Sequence, residues 1–162
     1  MHIDGLQKKH VGIIGIGCAA MSLASQAHHL ARHVITLIAP SDAPPDRDHI
    51  WGFWATKYCK TATQLARHKW NSWIIETPEG KATMYSKNQP YCAIHRKTWI
   101  SYCKSRSQAY GVKSIEEKDF KPNSYDQILD SRPPLVPAEQ MVQHFIGWEI
   151  IAPIETFVSD AA

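Results

Sequence analysis

The stretch VGIIGIGCAAMSLASQA, residues 11–27, decides the fold class of this chain. An apolar run ends at Gly15 and Gly17 and passes directly into a segment rich in alanine and leucine. Two interpretations begin from this pattern: the phosphate-binding turn of a dinucleotide-binding fold, and a secretory signal sequence behind a basic flank. They lead to different compartments and unrelated functions, so the rest of the chain has to discriminate between them.

The elements around the glycines favour the nucleotide turn. We expect a buried strand at His10–Ile16, a helix at Ala19–Ala31 and a second apolar strand at Val34–Ile38. Strand, helix and strand within about thirty residues form the parallel βαβ unit. The sequence therefore predicts an α/β protein with a Rossmann-like FAD/NAD(P)-binding fold.

The small residues have the spacing Gly15-x-Gly17-x-x-Ala20. In a dinucleotide-binding turn the first glycine lets the strand turn sharply, and the second lets the backbone approach a pyrophosphate. The small third residue lets the helix pack closely on the strand. Cys18 and Ala19 begin the predicted helix, whose free amides and positive dipole end suit phosphate. These five residues are the predicted pyrophosphate site.

One expected feature of a dinucleotide site is missing. An acidic residue normally ends the second strand, about twenty residues past the glycines, and binds the ribose hydroxyls. Ala39 occupies that position here, followed by Pro40, Ser41 and Asp42. Ser41 or Asp42 could reach the ribose, although neither has the usual placement. We therefore place the ribose at Ala39 and expect its binding to be weakened.

The remaining pattern predicts an incomplete fold with an inserted antiparallel hairpin. The hairpin strands are Trp70–Thr77 and Ala82–Tyr85, joined by turn residues. We also expect a helix at Arg96–Tyr110 that ends at Gly111. Two further strands are expected, at Tyr125–Leu129 and at Val142–Ile151. We divide the chain into an extension, residues 1–9, and a FAD/NAD(P)-binding domain, residues 10–162, that runs into the start of a substrate domain.

The composition and charge of the chain are typical of an ordinary soluble domain. The 162 residues are 44% apolar and 20% charged, which suits one soluble domain. Residues 57–121 carry thirteen Lys or Arg against five Asp or Glu. A basic segment of this kind can contact an anionic membrane surface or a nucleic acid, but lysines this scattered favour an ordinary solvated surface. We expect no nucleic-acid partner.

The cysteines and histidines do not form a metal-binding pattern. Cys18, Cys59, Cys92 and Cys103 include no C-x-x-C pair. Two histidines, at positions 29 and 33, are four apart on the predicted helix, but no acidic or thiol ligand falls in register with them. We assign no metal.

Four motifs later in the chain indicate which protein family the sequence resembles. In chain order they are HIWGFW (His49–Trp54), QPYCAIHRKTW (Gln89–Trp99), ILDSRPP (Ile128–Pro134) and QHFIGWEI (Gln143–Ile150). Each motif alone has an ordinary explanation, such as core aromatics or a strand leaving into a turn. In this order behind a glycine-rich βαβ turn, the series resembles the flavin-dependent lycopene cyclases of carotenoid synthesis, from Val11 to the end of the chain.

The resemblance implies an intramolecular lyase or isomerase that closes the ends of lycopene into rings without net oxidation. Such enzymes hold reduced FAD, use NAD(P)H as reductant, and are cytoplasmic or peripheral at the membrane. Their chemistry needs an acid, an apolar pocket and excluded water. By position, the resemblance places His95 or Arg96 as the basic residue before a helix, Asp130 and Arg132 bordering the cofactor, and Gln143, Gly147 and Glu149 facing the substrate.

Two departures from the family limit what can be carried over. Lys113–Asn123 is too short for the hairpin strands that precede the family's DSR stretch, and FVSDAA ends the sequence where relatives continue into a second half. That half carries the acid–base motif and most of the carotenoid tunnel, so no catalytic residue is assigned. Three hypotheses stay open: a shortened cyclase relative, inactive unless another chain completes it; a non-catalytic dinucleotide-binding module; and a secreted protein with a signal sequence.

Overall fold

A computed structural model describes the chain at residues 8–30, 32–42, 48–133 and 153. The chain divides into two compact units, which are Met1–Trp51 with Ile94–Arg132, and Gly52–Ala93 with Pro133–Ala162. The strands are β1 (Lys9–Ile14), β2 (His33–Ala39), β3 (Ile50–Trp54), β4 (His68–Trp70), β5 (Ser72–Thr77), β6 (Gly80–Tyr85), β7 (Tyr91–His95), β8 (Lys113–Glu116) and β9 (Gln127–Asp130).

The helices are α1 (Cys18–Ala24), α2 (Lys60–Gln64) and α3 (Arg96–Ala109), and short 3-10 turns cover Ala27–Leu30, Glu117–Asp119 and Pro122–Ser124. Within the residues listed above, no helix has the length and apolar character needed to cross a membrane.

The first unit is built on a four-stranded sheet with the order β8-β2-β1-β9. All the pairings in this sheet are parallel, and β1 and β2 run in register from Lys9 opposite His33 to Ile14 opposite Ile38. This confirms the prediction of an α/β protein with a parallel sheet. The stretch Val11–Ala27 supplies strand β1 inside the sheet and the first helix, α1.

The core of the first unit lies on one face of the parallel sheet. Side chains alternate along a strand, so Val11 and Ile13 share a face with Ile35 and Leu37 of the next strand. Alanines and Met21 of α1 and the buried Cys103 of α3 complete this cluster. Because both faces of a parallel sheet are covered, its inner strands read as nearly continuous apolar runs, which is why β1 and β2 could be recognised from sequence.

The opposite face of the sheet is closed by Tyr125. A Cβ added at Gly12 would lie 3.1 Å from the Tyr125 ring and 3.2 Å from the end of Ile38. Ile38 is fully buried. The tyrosine ring therefore packs directly on the backbone of β1, and a side chain at position 12 would have to displace it.

The helix after the glycines is shorter than predicted. It ends at Ala24, and a separate 3-10 turn begins at Ala27. The buried Ser25 donates its hydroxyl to the carbonyl of Ser22 at 2.7 Å, a local hydrogen bond that competes with continued α-helix. The predicted strand is also shorter, because Gly15 turns the chain after Ile14. Ala31, at the end of the predicted helix, lies outside the described residues.

The second unit contains the predicted hairpin and most of a three-stranded sheet. Strands β5 and β6 pair antiparallel from Ser72 opposite Tyr85 to Thr77 opposite Gly80. The prediction ran the first of these strands from Trp70, whereas the structure breaks it at Asn71, so that Trp70 ends β4. The other sheet has the order β3-β7-β4, and its strands β3 and β7 lie in two of the quoted motifs where no strand was predicted.

Strand β8 is a further strand that the sequence-based prediction omitted. The segment Lys113–Glu116 forms a parallel edge strand beside β2, directly after the helix that Gly111 ends at φ +73°. Its side chains are mostly exposed, so it lacks the apolar run typical of the inner strands. The predicted strand Val142–Ile151 lies outside the described residues.

Candidate functional site

The carboxyl ends of the four parallel strands meet at one edge of the first unit. Ligands of open α/β sheets bind outside this edge. We define the carboxyl edge as the residues that leave these strands: Gly15, Ile16, Gly17, Ser41, Glu117, Asp130, Ser131 and Arg132.

Gly15 makes the turn from β1 into α1. Its φ of +119° is in the region that favours glycine, and its N–H donates to the carbonyl of Ile38 at 2.9 Å. A Cβ at this position would overlap the hydroxyl of Ser131, which itself donates to the carbonyl of Ile14 at 2.8 Å. Ala20 lies 3.9 Å from the same point and is 1% exposed. Gly15 and Ala20 are therefore required by close packing.

Gly17 differs from Gly15 in its surroundings. Its φ of −79° and ψ of −170° are extended, so any residue could adopt them. Within the part of the chain that the structure describes, a Cβ at Gly17 would meet no atom within 4 Å, and the residue caps α1 without a side-chain hydrogen bond. Cys18 and Ala19 follow it and are exposed. The protein therefore presents bare backbone to open space at this point.

Glu117 reaches from the end of β8 to the loop after β2. Its Oε2 accepts hydrogen bonds from the backbone N–H and from the hydroxyl of Ser41, both at 2.8 Å. The sequence pattern indicated Ser41 as a possible ribose ligand and did not point to Glu117. The signal available was a helix stopped by glycine and then the short stretch Val112–Glu116, which contains two β-branched apolar residues but does not alternate.

Arg132 connects the other side of the carboxyl edge. The carboxylate of Asp130 accepts a hydrogen bond from Nε of Arg132 at 3.0 Å and another from Nη2 of Arg132 at 2.7 Å. Nη1 of Arg132 lies 3.6 Å from Oε1 of Glu117. The prediction placed Asp130 and Arg132 beside the cofactor, and the structure places them at the same edge of the sheet as the glycine turn.

The carboxylates of this edge are held in their charged form. The pKa of Glu117 lies below its ordinary value because of the backbone and hydroxyl hydrogen bonds from Ser41, with a further contribution from the charge of Arg132. The pKa of Asp130 is lowered by its hydrogen bonds from Arg132, and the same pairing raises the pKa of Arg132. At neutral pH the edge therefore carries two carboxylates and one guanidinium.

We expect Ser41→Ala to raise the pKa of Glu117 towards its ordinary value of 4.5, because one of two donors to its carboxylate is lost. A carboxyl whose pKa is lowered by folding stabilises the fold above pH 4.5, and this contribution disappears as the pH falls through the folded-state pKa. The variant should thus lose less stability on acidification. Side-chain carboxyl NMR titration measures the shift, with Glu79, whose pKa is lowered by Thr77, as the unaffected internal reference.

His95 and Arg96 lie at the start of α3. The ring of His95 has Nδ1 3.8 Å from Oδ2 of Asp48, and the same carboxylate accepts from the N–H of Lys97 at 3.0 Å. The N–H of Arg96 donates to the carbonyl of His49 at 2.8 Å. The two predicted basic residues thus stand where the chain enters the helix, with Asp48 serving as its cap.

The predicted site residues fall into three groups. Gly15, Gly17, Cys18, Ala19, Ala20, Ala39, Asp130 and Arg132 lie at the ends of adjoining parallel strands or at the start of α1. Arg96 begins α3. Gln143, Gly147 and Glu149 lie outside the described residues, so their assignment to the substrate stays a prediction.

Several solved structures have a fold similar to that of this chain. 2-Methyl-3-hydroxypyridine-5-carboxylic acid oxygenase has a TM-score of 0.52 and 14% identity, over 67% of this chain and 31% of that chain. The peptidyl tryptophan dihydroxylase QhpG has a TM-score of 0.51 and 11% identity, over 82% and 35%. CtdE, solved in complex with FAD, has a TM-score of 0.47 and 18% identity, over 67% and 30%.

The chain spans about a third of the length of these solved proteins. A search of curated protein sequences found no match. A sequence model of the family described as "Lycopene cyclase protein" matches residues 10–121. This match confirms the resemblance seen in the motifs, and it ends before the motifs ILDSRPP and QHFIGWEI.

Proposed function

This chain belongs to the lycopene cyclase protein family, and on that premise we propose that its carboxyl edge binds the adenosine diphosphate half of FAD in a Rossmann-like arrangement. The observation that carries the proposal is the open backbone at Gly17. A Cβ there would meet no atom of the described residues within 4 Å, so their packing does not require glycine. Close approach of a ligand to the backbone explains the absence of a side chain.

The residues present fit a pyrophosphate at this turn. Gly17 leaves the first amides of α1 without a side-chain cap, and Cys18 and Ala19 are exposed. Because α1 has only seven residues, we assign the interaction to these amide donors rather than to a long helix dipole. Arg132, fixed by Asp130, would add a positive charge at the same edge.

The activity that we propose for the whole protein is the cyclisation of lycopene ends. Protonation of a terminal double bond gives a carbocation, the ring closes, and a proton is lost, so no net oxidation occurs. Reduced FAD, when bound, would stabilise positive charge or aid proton transfer, with NAD(P)H as its reductant. The apolar polyene substrate fits a protein in the cytoplasm that works at the membrane surface.

A complementation experiment tests the carotenoid proposal. The chain is co-expressed, in a lycopene-accumulating bacterium, with a fragment that supplies the family's second half, and pigments are separated by chromatography. We expect monocyclic or bicyclic carotenoid from the pair, and linear lycopene from the pair in which the chain carries Gly17→Val.

A second candidate function is a dinucleotide-binding module without chemistry of its own. It is favoured by the position of the described site residues at the ends of parallel strands, where open α/β sheets bind nucleotides. Linear lycopene from the co-expressed pair, together with FAD binding by the purified chain, would support this candidate and contradict the cyclase proposal.

A further inference from the structure

Glu117 is an unassigned carboxylate close to the position where this fold needs one. In the register of β2 and β8, Ala39 is paired with Glu116, so Glu117 is one residue past the partner of Ala39. Neighbouring strands are about 4.8 Å apart, a distance that a glutamate side chain can span. We infer that Glu117 supplies, from the neighbouring strand, the carboxylate that binds the ribose hydroxyls of the nucleotide, an inference that rests on the proposed function.

The hydrogen bonds of Glu117 leave Oε1 available to accept hydrogen bonds from the ribose hydroxyls. The N–H and the hydroxyl of Ser41 both donate hydrogen bonds to Oε2. Ser41 lies in the loop that leaves β2, so these two bonds hold the carboxylate in one orientation beside that loop. Among the described residues, the guanidinium of Arg132 lies near Oε1, at 3.6 Å. A carboxylate offers about four lone-pair positions, and a diol can donate to those that remain on Oε1. The side chain is 34% exposed, which gives a ligand access.

The placement of the carboxylate also determines which nucleotide fits. Glu117 bridges Ser41 after β2 and Arg132 after β9, so it stands over the strand ends beside the glycine turn. A carboxylate accepts two ribose hydroxyls but repels a 2′-phosphate. We therefore assign this site to nucleotides with a free 2′-hydroxyl, such as the ADP half of FAD.

If Glu117 served only to hydrogen-bond the 3-10 turn Glu117–Asp119 to the loop after β2, a different result would be expected. In that case replacing Glu117 would lower the melting temperature without a specific effect on nucleotide. Glutamine keeps the shape and can still accept from Ser41, so Glu117→Gln removes the charge while retaining this hydrogen bonding. Glu116→Gln is the matched control, because that exposed residue is paired with Lys118 and changes the net charge equally.

The experiment titrates the purified 162-residue chain with ADP and with 2′-phospho-ADP by calorimetry. We expect Glu117→Gln to weaken ADP binding by about tenfold or more, the effect of losing a charge-assisted hydrogen bond. The preference for ADP over its 2′-phosphate should shrink in the same variant. Glu116→Gln should bind both nucleotides as the unaltered chain does.

Relocating the carboxylate provides a second measurement. Ala39→Glu restores the usual position at the end of β2, so it should recover ADP affinity in the Glu117→Gln background. In the unaltered chain the same substitution places two carboxylates together and should give no gain.

Unchanged ADP affinity in Glu117→Gln, with binding abolished by Gly17→Val, would overturn the assignment of Glu117 and leave the proposed function intact. Failure of the unaltered chain to bind ADP would overturn both.

Discussion

Gly15→Ala is expected to destabilise the first unit by about 2–4 kcal/mol, enough to remove a large part of the stability of an ordinary domain. Two costs add. A non-glycine residue must adopt a φ near +119°, and its Cβ must displace the Ser131 hydroxyl. That displacement also breaks the 2.8 Å hydrogen bond from Ser131 to the carbonyl of Ile14.

Urea denaturation followed by circular dichroism measures the loss, and a double variant separates its two causes. Ser131→Gly removes the overlapping side chain, so Gly15→Ala in that background should retain only the cost of the unfavourable φ. A smaller effect of Gly15→Ala in the Ser131→Gly background is therefore expected. Equal stability of the Gly15→Ala variant and the unaltered chain would show that this turn is wrongly described.

Gly17→Val is expected to abolish the binding of FAD and ADP while leaving the fold stable. The backbone at Gly17 is already extended, which valine tolerates, and the space in front of it is open. The change of capping residue should cost at most about 1 kcal/mol. The valine side chain would instead fill the volume through which the pyrophosphate approaches the amides of Cys18 and Ala19.

Calorimetric titration with ADP and a melting curve on the same sample test this expectation. Gly80→Val provides a control outside the proposed site, because a Cβ at that hairpin glycine also meets nothing within 4 Å. Its φ of +158° will strain the hairpin turn, but nucleotide binding should be unaffected. Normal ADP affinity in the Gly17→Val variant would remove the basis of the nucleotide proposal.

The local pattern of the sequence was sufficient for the inner part of the parallel sheet. Inner strands are covered on both faces, so β1 and β2 had to be apolar, and the glycines had to fall where the chain turns. The hairpin could be predicted for a similar reason, since its turn residues and its strands are neighbours in the chain. Each of these features depends on residues only a few positions apart in the chain. The spacing of apolar and turn residues along the sequence is therefore enough to predict them.

Only the tertiary structure revealed why Gly15 cannot carry a side chain and which carboxylate accepts hydrogen bonds from Ser41. Ser131 lies over Gly15, and Glu117 meets Ser41 from a position 76 residues further along the chain. The edge strand β8 that carries Glu117 to this point is mostly exposed, so hydrophobic periodicity hardly marks it. The order of strands in the sheet sets these contacts, and that order depends on packing between distant segments, which no local pattern encodes.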